Sequence, residues 1–95
     1  MDYGEPEKNE PKFPKYRTLE GYFEDRGNEV YIFEKAVDPV SKFTYKEVKS
    51  ITIKPAGTLF NGMVTVTFTN GASIKYGINA YQMQDLEEFK AKLGK

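Results

Sequence analysis

The sequence predicts a mainly β domain, a strongly bent antiparallel sheet or partly open barrel of about six to seven strands, capped by one C-terminal helix. Three observations predict it. Val64, Val66 and Phe68 alternate with Thr65, Thr67 and Thr69, a period of two that gives a strand one apolar face. After Asn79 the period lengthens to that of a helix, with Met83, Leu86, Phe89 and Leu93 on one stripe. Between residues 18 and 54, short β-branched and aromatic runs are punctuated by Gly, Asn and Pro.

Residues 1–16 read as a flexible charged tail and residues 17–95 as the domain. The tail carries Pro6, Pro11 and Pro14 among alternating charges, and has too little apolar surface to bury itself. Tyr3 and Phe13 are its only candidates for an edge contact. Residues 18–24 and 29–36 read as a hairpin around Arg26-Gly27-Asn28, with Leu19 and Phe23 pointing inward. The run Val30-Tyr31-Ile32-Phe33 is apolar on both faces, so something must cover the outward pair. Tyr31 and Phe33 are therefore the candidate partner contact.

Phe43 and Tyr45 share one strand face, but Val48, Ile51 and Ile53 follow out of step. That slip predicts a bulge or bend at residues 47–49, letting one segment serve two sheets. Pro55-Ala56-Gly57 ends the strand, and residues 58–62 cross to the last hairpin with Leu59 and Phe60 expected underneath it. A two-residue Asn70-Gly71 turn would set Val66 opposite Lys75 and Phe68 opposite Ser73. A three-residue loop with Gly71 left-handed instead pairs Phe68 with Ala72, Val66 with Ile74 and Val64 with Tyr76. Burying one whole face favours the second register. The helix starts with a capping box of Asn79 and Gln82 and an Ile78–Met83 staple, and Gly94 stops it. Met83, Leu86, Phe89 and Leu93 are the expected plug of the sheet.

Ninety-five residues make at most one domain. Without cysteine there is neither a disulfide nor a thiolate metal site, and without histidine the commonest general base and metal ligand is missing. Fourteen basic and fourteen acidic side chains cancel, so no overall field recruits nucleic acid or membrane. No apolar run reaches the ~20 residues of a spanning helix, and no signal-like stretch follows Met1. The expected location is the cytoplasm. Acidic residues gather in 20–38 and lysines in 42–54, which neighbouring strands would pair across a sheet. Read more sharply, Lys42, Lys46, Lys49 and Lys54 form a candidate basic face.

The stretch Phe43-x-Tyr45-x-Glu47-Val48-x-Ser50-Ile51-x-Ile53-Lys54-Pro55-Ala56-Gly57, followed by Asn61-Gly62-x-Val64-x-Val66 and the closing helix through Phe89, resembles bacterial pleckstrin-homology-like domains. The resemblance covers residues 18–93 in architecture and residues 43–68 in specific letters. It implies a bent antiparallel sheet of nominally seven strands with a C-terminal helix, and a non-catalytic scaffold for binding proteins or lipids or for self-assembly. About six strands can be placed here, so one is missing or hidden in 56–61. Relatives that bind phosphoinositides use clustered cations at the first hairpin loop, which is read here as residues 24–29, with one cation among three carboxylates.

No catalytic constellation emerges from the residue types. Glu24-Asp25 and Glu87-Glu88 are adjacent carboxylates that point apart on a strand or helix, and read as solvated charge. Residues 25–29 lack calcium-loop spacing, and no phosphate-binding glycine motif is present. Tyr22, Tyr31, Tyr45, Tyr76 and Tyr81 with Lys42, Lys46, Lys49 and Lys75 offer a basic aromatic face for single strands, which the neutral charge disfavours. The expectation is a non-enzymatic binding module working through protein contacts or homo-oligomers, with no cofactor and no metal. Its alternative is a peripheral lipid or nucleic-acid binder using the 42–54 lysines.

Overall fold

A computed structural model describes residues 12–95. Its elements run β1 (Lys15–Arg17), β2 (Tyr22–Asp25), β3 (Glu29–Phe33), β4 (Ser41–Thr44), a 3₁₀ turn (Tyr45–Glu47), β5 (Val48–Lys54), β6 (Gly62–Phe68), β7 (Ser73–Ile78) and α1 (Met83–Leu93). The strands form two antiparallel sheets, β1-β2-β3-β4 and β5-β6-β7. The fold is thus mainly β with one C-terminal helix, and the described residues form no closed barrel. Where one bent sheet was expected, the chain leaves one sheet at Thr44 and enters the other at Val48.

The physical reason lies in that corner. Glu47 Oε1 accepts from the Thr44 amide at 2.8 Å, so a tight turn replaces the continued strand. The register slips between Val48 and Ser50, where the sequence pattern loses parity. A backbone bond from Leu19 N–H, in the loop between β1 and β2, to the Gly77 carbonyl of β7 at 2.8 Å also bridges the sheets.

The β6–β7 hairpin takes the three-residue loop. Val64 pairs with Tyr76 and Val66 with Ile74, and Phe68 N–H donates to the Ala72 carbonyl at 2.8 Å. Gly71 sits at φ 94°, the left-handed region that turn requires. Gly62, at the start of β6, meets a different demand. A Cβ there would fall 2.1 Å from the Lys54 carbonyl oxygen, so only glycine lets β6 run this close to the end of β5.

Most of the expected tail lies outside the described residues, and so does Tyr3. Lys15 and Tyr16, expected in it, belong to β1, which supplies the strand missing from the count. Tyr16 is buried, with its ring centroid 4.8 Å from that of Phe89. A strand of Lys-Tyr-Arg shows one apolar residue in three, too little for a periodic signal. The first hairpin loop is consequently residues 18–21, and residues 26–28 form the second.

The core fills the space between the sheets and under α1: Phe23, Val30, Ile32, Phe43, Val48, Ile51, Val64, Val66 and Ile78 meet Leu86, Phe89 and Leu93. Met83 is half-buried at its margin. Leu19, expected inside with Phe23, is 41% exposed because it stands in the loop before β2 rather than in the strand. The capping box closes as expected: Asn79 Oδ1 accepts from the Gln82 amide at 2.9 Å and Gln82 Oε1 from the Asn79 amide at 3.0 Å. It closes on a turn at residues 80–82, and regular helix begins at Met83.

Candidate functional site

Sheet alternation puts Glu24, Tyr31 and Lys42 in one row on the outer face of the four-stranded sheet, with Lys15 completing it. Glu29 lies beside this row. Its carboxylate is 3.4 Å from Lys42 Nζ, and the two charges hold the Lys42 amine above its ordinary range. Arg26 lies 4.0 Å over the Tyr31 ring and bonds Glu24 Oε1 at 2.6 Å. The outward pair of β3 is therefore covered from within the chain. Phe33 is 6% exposed and stacks on Tyr22 at 4.7 Å, while Tyr31 is half-buried between two cations. Neither ring of this expected contact pair stands free.

The four candidate lysines are all exposed but do not share one face. Lys42 belongs to the outer face of the four-stranded sheet, Lys46 to the corner turn, and Lys49 and Lys54 to β5 in the other sheet. The five tyrosines are scattered likewise, with Tyr45 and Tyr76 packed on the core and Tyr81 on the turn before α1.

Glu24-Asp25 is not solvated charge. Both residues are buried, because Asp25 points between the sheets and Glu24 lies under Arg26. The Asp25 side chain is 0% exposed and accepts from three sources: Tyr45 Oη at 2.6 Å, the Gly27 amide at 3.0 Å and Lys92 Nζ at 2.8 Å. Burial first, and then this hydrogen bond, pushes the Tyr45 phenol well above its ordinary range, and the bond to Asp25 raises Lys92. The cluster joins β2, the corner turn and α1. Nothing in the alternation of the sequence points to it, since its members lie up to 67 residues apart (92 − 25). Glu87 and Glu88 are exposed, as expected.

Tyr76 Oη donates to Glu34 Oε2 at 2.8 Å, and burial first, then this bond, pushes its phenol up to about 12. A folded value above the unfolded ~10 means the neutral phenol is favoured by folding. That contribution is intact below pH ~10 and is lost as pH rises through ~12. Phenolate absorbance followed against pH should show Tyr45 and Tyr76 ionising only above the ordinary phenol value of ~10. Ionisation of both at the ordinary phenol value would refute these bonds.

Three of the exposed apolar groups gather elsewhere, apart from others such as Val37 and Val40. Leu59 is 93% exposed, Phe60 66% and Tyr81 93%, and all three line one concavity of about 450 Å³ with Thr58, Asn61 and Asn79. Leu59 and Phe60 were expected under the hairpin. They are outside because Gly57 N–H donates to the Phe60 carbonyl at 2.9 Å, which folds residues 57–60 into a tight projecting turn. The sequence gives Leu-Phe between turn formers, but not the side of the sheet on which they emerge.

Among the described residues no group of acidic side chains could hold a metal ion, and no helix is long and apolar enough to cross a membrane. Comparison with protein-family profiles, curated proteins and solved structures finds no match for this chain.

Proposed function

We propose that the chain is a small non-catalytic binding module acting by protein–protein contact, with a partner or a second copy of itself. The observation that carries this reading is the cluster of Leu59, Phe60 and Tyr81 around one concavity. Singly exposed apolar residues are ordinary on any surface, whereas three gathered at one place favour a contact site. The buried polar groups support the same reading, because Asp25, Tyr45 and Lys92 are held by one another. A pleckstrin-homology-like scaffold would be compatible with both features. The alternative, lipid or nucleic-acid binding through the 42–54 lysines, draws less support from cations spread over two sheets.

The test is the double substitution Leu59→Ser with Phe60→Ser. Both side chains stand in solvent, so the domain should stay folded. Its mass in solution should fall to that of the monomer, or capture of a partner from the native host should be lost. A folded double variant with unchanged mass and unchanged capture would refute the reading.

A further inference from the structure

The strand edges of the two sheets differ in what covers them. On β5, the Ile51 carbonyl accepts from Lys90 Nζ of α1 at 2.7 Å. On β7, Gly77 already pairs with the chain itself, its carbonyl with the Leu19 amide and its amide with Glu20 Oε1. β1 lies against α1. β4 is the outer strand of its sheet, and its register shows which groups are free. Tyr45 N–H donates to the Asn28 carbonyl at 3.1 Å, so bonded pairs recur at Val30–Phe43 and Ile32–Ser41. Lys42 and Thr44 therefore turn their peptide groups away from β3. The Thr44 amide is taken by Glu47, whereas the Lys42 amide and carbonyl have no partner among the described residues.

Beside this edge lies a cleft of about 250 Å³. Its apolar lining is Ile32, Phe43, Phe68 and Ile74, and its charged lining is Lys42 and Glu47, the latter already bonded to the Thr44 amide. Phe68 and Ile74 are only half-buried. An open main-chain pair beside an apolar cleft is what strand addition uses: backbone bonds give affinity and alternate side chains give selectivity.

We propose that the β4 edge takes an extended peptide of another protein, with an acidic residue opposite Lys42 and a bulky apolar residue next to it. The residue opposite Lys42 joins the outer row, where Glu24, Tyr31 and Lys42 already stand side by side, and a carboxylate there shares with Glu29 the half-exposed Lys42 amine, 3.4 Å from the Glu29 carboxylate. Its neighbour lies opposite Phe43 on the inner face and enters the cleft. A second copy added edge to edge about Lys42 would set lysine against lysine, which disfavours self-pairing. This site is separate from the Leu59–Phe60–Tyr81 concavity and stands or falls independently of it.

The test titrates the full chain, amide-labelled, with two end-blocked hexapeptides, one alternating glutamate with leucine and the other lysine with leucine. The glutamate peptide should move the amides of β4 and of residues 68–70, and the lysine peptide should bind at least about tenfold more weakly, the factor set by ~1.4 kcal/mol. Lys42→Pro removes the free amide, and an edge position facing away from the ladder tolerates proline. It should weaken the glutamate peptide by at least about tenfold while the spectrum stays folded. Should proline disturb the fold, Lys42→Glu keeps the backbone and should reverse the preference between the two peptides. The proposal is overturned if no amide moves at ~1 mM peptide. It is equally overturned by shifts gathering at residues 57–61, by a folded proline variant that binds unchanged, or by a glutamate variant that keeps the original preference.

Discussion

Lys92→Met is expected to destabilise the domain by about 3–5 kcal/mol, the cost of leaving a buried carboxylate without its cation. Asp25 is enclosed on every side, and Lys92 Nζ at 2.8 Å is its one charged partner among the described residues. Tyr45 and the Gly27 amide would remain as donors, which places the loss nearer the lower end of that range. Removing both charges, with Lys92→Met and Asp25→Asn together, should recover much of the loss, because a neutral amide is cheaper to bury than an unpaired ion. Urea denaturation of the two variants checks this, with the midpoint shifting and the slope unchanged. A single variant within about 0.5 kcal/mol of the parent would show that the pair holds nothing.

Phe89→Ala should cost about 3–5 kcal/mol, the range for emptying an aromatic site in a packed core. Its ring centroid lies 5.2 Å from that of Phe23 and 4.8 Å from that of Tyr16, so one side chain ties α1 to β1 and β2. Met83→Ala should cost clearly less, since Met83 is only half-buried. Thermal or urea unfolding of both variants gives the comparison. Equal losses would mean that the helix is held along its whole length rather than by its buried ring.

The parts that could be read from the sequence are those in which one local pattern decides the structure. The β6–β7 register followed from keeping Val64, Val66 and Phe68 on one face, and the helix from its cap and its stripe. The break at residues 47–49 was visible as lost parity, and the structure turns it into a change of sheet. β1 was hidden because its only inward residue, Tyr16, sits between two charged neighbours that face solvent. The apolar cluster was hidden because burial of Leu59 and Phe60 depends on how one short turn leaves the sheet. Asp25 was misread for a related reason. Charged residues are on the surface by default, and only the arrival of Lys92 and Tyr45 from distant elements makes its burial tolerable. Phe33 needed a cover, and Tyr22 on the neighbouring strand supplies it.

The placing of Phe89 also bears on how the domain is made. Phe23 and Tyr16 are synthesised well before their main aromatic neighbour, which arrives some 70 residues later (89 − 16 = 73; 89 − 23 = 66). Until then nothing from α1 can cover the opening between the sheets, and that is the kind of apolar exposure that recruits chaperones. Chains cut short anywhere before α1 would keep that opening for good, and so would be selectively removed by proteases that act on unfolded species. Only a chain that carries the helix through Leu93 can cover that opening.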